Sequence, residues 1–299
     1  MKATNRAYLE LHIAVFLFGF TAILGDLIQL SALALVWWRV LFTSVSLLFL
    51  IKARVLFREL PRRTLLAFMG IGILVAWHWL CFYGAIKWSN ASIALVAMAT
   101  TSFFTSLLEP LIMRQRLKWY ELALGVFIIP GMLLIVNGIK MAMLDGLYLG
   151  LGAALLAALF ATLNKKLIGQ SSALNITFLE LGSAWLFLSL VLPVYAALGF
   201  EALQFMPSIS DVAYLLVLSL MCTTLAYVLA LRALRHLSAF ASNLAINLEP
   251  VYGIVLAWLI LREDKELHPN FYWGVVIIVV AVFCYPLLRK WLEKTKVPS

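Results

Sequence analysis

Residues 242–264, SNLAINLEPVYGIVLAWLILRED, are long and apolar enough to span a bilayer, yet carry Glu249-Pro250 near the middle. Counted from Ser238 at about 1.5 Å per residue, Glu249 lies about 16 Å into a hydrocarbon core of ~30 Å. An ionisable group there costs at least ~2.5–3.5 kcal/mol, so it lines a cavity or finds a partner. Pro250 has no N–H to offer the carbonyl of Ile246. Irregular backbone at that depth survives only against protein or a water-filled cavity. The stretch therefore requires a polar cavity between helices, and the rest of the chain reads as the structure that builds it.

The chain has 299 residues, 64% hydrophobic and 12% charged, where soluble domains carry about 25% charged residues. This defines an all-α integral membrane protein with the lipid bilayer as its solvent. The net charge of +9 reflects basic loops on one side of the membrane, and no nucleic-acid partner is expected. Cys81, Cys222 and Cys284 sit in apolar runs without a C-x-x-C pair, so they read as packing residues and no metal site is expected. No P-loop, G-x-G-x-x-G or H-E-x-x-H is present, so no cofactor and no catalytic residue is expected. The first apolar run has no small-residue cleavage site after it and reads as a retained helix.

Ten apolar segments can be drawn, at 8–27, 33–51, 64–85, 91–113, 119–139, 146–163, 174–199, 212–231, 239–261 and 271–292. With the N-terminus in the cytoplasm, the inner segments hold Lys2, Arg6, Lys52, Arg54, Arg58, Arg62, Arg63, Arg114, Arg116, Lys118, Lys165, Lys166, Arg232, Arg235, Arg289, Lys290, Lys294 and Lys296. The outer segments hold only Lys87, Lys140, Arg262 and Lys265. That bias places both termini inside.

The chain also repeats. A shift of 141 lays SALALVWWRVLFTSVSLLFL, from Ser31, over SSALNITFLELGSAWLFLSL, from Ser171; a shift of 148 lays YGAIKWSNASIALVAMATTSFF, from Tyr83, over LRALRHLSAFASNLAINLEPVY, from Leu231. Both shifts match five helices to five. Because five is odd, the halves, 1–140 and 141–299, must be inverted in the membrane, together forming one transmembrane domain. Such repeats place a site near the bilayer midplane at their interface.

Four stretches carry a family resemblance: RVLFTS from Arg39; YGAIKWSNASIALV across the third and fourth segments; EPVYGIVLAWLILRE in the ninth, with Pro250 and Glu263; and the spaced glycines Gly125 and Gly131. Over its whole length the chain resembles an EamA-type member of the drug/metabolite transporter superfamily. It departs from the family pattern at Ser102, Gln115 and Val280, where a proline, a glutamate and a glycine would stand. The resemblance implies a secondary transporter in the bacterial inner membrane, working by alternating access and exporting a small metabolite such as an amino acid or related amine. An importer, or a carrier of nucleotide sugars or lipid-like molecules, stays open within that class. An intramembrane enzyme with His78 and Glu249 as acid and base is the rival of another class, and the duplicated scaffold argues against it.

The candidate site residues follow from depth and chemistry. Glu249 can contact a cationic group, couple a proton, or pair structurally with an asparagine or serine. Asn243 and Asn247 share a helix face and offer amides to a polar solute or to a neighbouring helix. Trp77, His78, Trp79 and Tyr83 form an aromatic and imidazole cluster suited to a cationic or aromatic solute or to a proton relay; successive residues cannot all face one cavity, so a tryptophan should face lipid. Arg39 and Glu180 lie at matched places with opposite signs, each about 9 Å inside its helix but from opposite faces, and should not touch. Arg39 suits a substrate carboxylate or an outer gate. Pro250, Glu109 and Pro110 mark helix breaks or gates, with Glu109 best placed to pair with Arg114 or Arg116. Trp37 and Trp38 read as outer interface anchors, and Gly146, Gly150, Ala154 and Ala158 as a close-packing stripe.

Overall fold

The computed structural model describes residues 3–136, 140–198, 204–246, 248–262, 269–270, 272–277, 279–280, 284 and 288. Among the described residues, seven helices are long and apolar enough to cross a membrane, or up to eight if one bent pair is a single span. The first nine segments drawn from the sequence each overlie helix, and the tenth lies largely outside the described residues.

The helices are α1 (Ala3–Leu27), α2 (Ala32–Leu48), α3 (Ala53–Glu59), α4 (Arg62–Trp88), α5 (Ala91–Met98), α6 (Thr101–Met113), α7 (Trp119–Val136), α8 (Leu144–Leu167), α9 (Ala173–Leu198), α10 (Ile209–Ser219), α11 (Ala226–Leu234), α12 (Ala239–Ile246) and α13 (Glu249–Leu256). Three features are not those expected from hydropathy. The second segment stops at Leu48, and α3 turns away from α2 by 91°, because Arg54 and Arg58 seek an aqueous edge while Leu56 stays buried. A π-helical turn, Leu220–Leu225, joins α10 to α11. The fourth and ninth segments are each broken in two.

The two breaks fall at the same place. A shift of 148 carries the first residues of α5 and α6 onto the first residues of α12 and α13. The means of closing them differ. In the fourth segment, Thr100 and Thr101 hydroxyls donate to the carbonyls of Ala97 and Met98 at 2.7 and 2.6 Å, so a run of short hydroxylated side chains satisfies the backbone. In the ninth, Pro250 sits in the first turn of α13, where its missing N–H costs nothing because that donor has no intrahelical partner.

Packing interleaves the first and second parts of the chain. α4 lies against α8 and α9, α2 against α9, and α1 against α11 and α13. Small residues permit it. A Cβ on Gly146 would come within 2.5 Å of the Ser89 hydroxyl, and one on Gly150 within 2.5 Å of Ala97 Cβ. With Ala154 and Ala158 fully buried, the α8 stripe packs as the four-residue spacing suggests. Gly72 is tighter still, since a Cβ there would collide with the backbone carbonyl of Glu180. Gly70, one turn-face away, has nothing within 4 Å.

Gly72→Ala should therefore lower the thermal midpoint of the detergent-purified protein, by about 1–3 kcal/mol of stability on the scale of overpacked cores. Gly70→Ala should leave it unchanged or raise it, as an open helical glycine does. Equal midpoints for the two variants would contradict the close α4–α9 approach.

Candidate functional site

The helices enclose an elongated cavity with about 120 Å³ accessible to the centre of a water molecule. Its wall comes from α1 (Leu11, Phe18, Thr21), α2 (Arg39), α4 (His78, Trp79, Phe82), both broken segments (Met98 and Thr101; Ser242, Ile246 and Glu249), α8 (Ala157, Phe160, Asn164) and the strip from Cys222 to Leu234. The matched pairs Met98/Ile246 and Thr101/Glu249 are all in the wall, so both breaks point at the same space.

Arg39 is buried and heavily held. Its Nε donates to Thr223 Oγ1 at 2.7 Å and its Nη1 to the Tyr83 hydroxyl at 2.6 Å. The guanidinium carbon lies 3.9 Å from the centre of the Trp79 ring, a cation–π contact strengthened by the dry surroundings. The π-helical turn aims Thr223 at Arg39, while the Thr223 and Thr224 hydroxyls donate to Leu218 and Ser219 carbonyls at 2.6 and 3.0 Å. A guanidinium has five N–H donors, so three remain for another ligand. Tyr83 reaches Arg39 only because position 25 is glycine; a Cβ there would strike the phenol ring.

Glu249 is buried at the positive end of α13. Among the described residues its carboxyl makes neither a hydrogen bond nor an ion pair. Arg39 and Glu249 thus stand on one cavity without contact. His78 turns Nδ1 to the carbonyl of Ala153 at 2.8 Å. A carbonyl only accepts, so Nδ1 carries the proton and Nε2 is the nitrogen left for a ligand. Phe82 stacks on the imidazole and Phe160 meets it edge-on. Trp79 is in the cavity wall, whereas Trp77 is 47% exposed and packs on Phe187, so the two do not share the cavity.

Glu180 lies behind the wall rather than in it. Its Oε2 accepts from the Tyr227 hydroxyl at 2.5 Å and from Asn164 Nδ2 at 3.2 Å, and it does not pair with Arg39. Asn247 lies outside the described residues, as does the side chain of Asn243.

One expectation needs correction. Glu109 pairs with neither Arg114 nor Arg116. Its two oxygens accept the backbone N–H groups of Ala239 and Phe240 at 3.2 and 2.6 Å. It thus caps α12 from α6, beside Pro110, because the first donors of a buried helix need acceptors and an anion suits that end. The Trp37 and Trp38 side chains, read as interface anchors, are half-buried and also bonded within the bundle. Their indoles donate to Ser189 Oγ at 2.8 Å and to the Phe205 carbonyl at 2.9 Å. With Lys87 Nζ on the Ile28 carbonyl at 2.7 Å and Gln29 N–H on Asp211 at 2.8 Å, they tie the α1–α2 end of the bundle together.

Thr223, Tyr227, Asn164, Thr101 and Ser242 were not singled out in the sequence. The available signal was weak: single hydroxyls and an amide in apolar helices, which also serve as interhelical glue.

A bundle of long apolar helices around a mostly apolar cavity with a few buried polar groups is that of a multi-pass membrane protein. The family model described as "EamA-like transporter family" matches residues 5–137 and again 144–285, and the chain belongs to that family. A protein named "Uncharacterized transporter" from Clostridium kluyveri is 24% identical over 203 residues, 66% of this chain and 63% of that protein. The chain thus spans under two thirds of this curated relative's length. A solved crystal structure of a protein superposes with a TM-score of 0.69 at 14% identity, covering 96% of this chain and 98% of that one, which supports the fold alone.

Removing the cap in Glu109→Ala should destabilise the protein by about 1–3 kcal/mol, since two buried N–H groups lose a charged acceptor. Glu109→Gln should recover part of that loss. A Glu109→Ala midpoint equal to wild type would argue against the cap.

Proposed function

We propose that the chain exports a small zwitterionic or amine metabolite, such as an amino acid, by alternating access. The observation that carries this reading is the unpaired juxtaposition of Arg39 and Glu249 on one buried cavity. A solute with a carboxylate and an ammonium satisfies both charges, and charge-assisted hydrogen bonds are the strong ones. Without it, Glu249 has no described hydrogen-bond partner. Trp79 and Phe160 supply faces for an apolar or aromatic side chain.

The frame proposed is ten membrane helices in two inverted halves, divided near residue 140, in the bacterial inner membrane with both termini cytoplasmic. The coincident breaks support the repeat, and the basic-residue bias supports the orientation. In that orientation the wall runs from Arg39 inward to Leu11, Leu234 and Ser242, near the cytoplasmic ends of their helices, as suits a carrier loading from inside. The cargo emerges chemically unchanged.

Untargeted metabolomics of cells expressing wild type, Glu249→Gln or Arg39→Lys at equal membrane levels tests this. Wild type should enrich one amine-bearing compound in the medium, with each variant cutting the excess about tenfold or more. Lysine keeps the charge of Arg39 but loses the fork that bonds Tyr83 and Thr223 together. Undiminished export by both variants would remove these residues from the solute site. A new mass without export would favour the enzyme reading.

A further inference from the structure

Glu180 and Asn164 are among the most buried polar residues of the chain, 0% and 1% exposed. One bond joins them, from Asn164 Nδ2 to Glu180 Oε2. The other two atoms of the same two groups, Glu180 Oε1 and Asn164 Oδ1, are both buried and have no partner. Each is an acceptor when Glu180 is ionised, and an unsatisfied buried acceptor is costly. Turning the Asn164 amide over would not help, because Oδ1 would then face Oε2, acceptor to acceptor. A single proton on Oε1 resolves both: a carboxylic acid donates to an amide oxygen while accepting from the amide nitrogen, closing a ring of two hydrogen bonds.

We infer that Glu180 is the proton site of this transporter, protonated in the conformation seen here and held as a carboxylic acid–amide pair with Asn164. The inference rests on the transporter reading but not on the identity of the solute. Among the described residues, no cation is placed to keep Glu180 ionised. From α2, Arg39 is turned to Tyr83 and Thr223; from α4, His78 is turned to Ala153, and Arg62 and Arg63 are exposed at its start. From α8, Lys165 and Lys166 bond the Leu234 and Ile112 carbonyls. From α11, Arg232 pairs with Glu10 and Arg235 bonds the Ile168 and Ser171 carbonyls. Tyr227 is the titratable group in contact, and it donates to Oε2.

Asn164 and Tyr227 belong to both the cluster and the cavity wall, so a change of cavity shape that separates them from Glu180 alters its proton affinity. The step is proton transfer alone. The carboxylate takes a proton from water on one side and returns it to water on the other, and solute leaves as the proton enters.

Infrared spectroscopy of the purified full-length protein at neutral pH reads the proton directly. Wild type and Glu249→Gln should show the carbonyl band of a buried carboxylic acid; Glu180→Gln should lack it, and Asn164→Ala should shift it to higher frequency. No such band in wild type, or an unchanged band in Glu180→Gln, overturns the assignment. Proteoliposomes given a radiolabelled mixture of the twenty amino acids, with and without a pH gradient, test coupling. The ratio of flux with to flux without the gradient should exceed one for wild type and fall to one for Glu180→Gln. A wild-type ratio of one, or a Glu180→Gln ratio equal to the wild-type value, overturns coupling at this site. If wild type moves no amino acid at all, the solute reading fails and the infrared band alone decides the proton site.

Discussion

A guanidinium buried in the middle of an apolar bundle must be held on every side, and much of this structure follows from holding Arg39. Its partners come from distant parts of the chain: Tyr83 and Trp79 on α4, Thr223 on the turn after α10. Gly25 exists to let Tyr83 in. The π-helical turn delivers Thr223 and answers its own displaced carbonyls with Thr223 and Thr224 hydroxyls. The Ser219 hydroxyl adds a bond to the Arg39 carbonyl at 3.1 Å, so backbone and side chain of one residue are both tied to the same neighbouring segment. Wide π turns often sit at functional sites, and this one is explained by the cation it serves.

The second constraint is that a membrane helix cannot be broken without an account of the freed backbone. The two breaks, 148 residues apart, meet it with different chemistry: hydroxyls at Thr100 and Thr101, proline at Pro250. The position that holds Thr101 in one copy holds Glu249 in the other, and both face the cavity. The frame repeats while the chemistry does not.

Much of this was legible in the sequence. Composition fixed the class, hydropathy located the described helices, and the depth of Glu249-Pro250 anticipated both a cavity and a break. The break in the fourth segment was not legible, because threonines and serines leave no hydropathy gap and no proline marks the spot. Glu109 was read as an ion-pair partner because the sequence shows the nearby arginines and hides the amide groups of α12, 130 and 131 residues away. Trp37 and Trp38 read as interface anchors, and their bonds within the bundle were hidden for the same reason: position along a helix is visible, whereas Ser189 and the Phe205 carbonyl are brought in by folding. Side chains that face a cavity and those that face away from it have the same hydropathy, so Trp77 and Trp79 could not be told apart.

Arg39 and Glu180, matched by the repeat, are each bonded by a tyrosine on the crossing helix, Tyr83 for the cation and Tyr227 for the acid. The phenol donates to the acid and accepts from the cation, so one residue type serves both signs by exchanging roles. Thr223 and Tyr227 stand four residues apart and both line the cavity, so the two clusters meet one strip of its wall. A held cation at one and a buried acid bonded to an amide at the other make the two clusters chemically unlike. A symmetric scaffold has no preferred direction of its own, so direction in such a protein has to come from residues at which its copies differ, and Arg39 and Glu180 are one such pair.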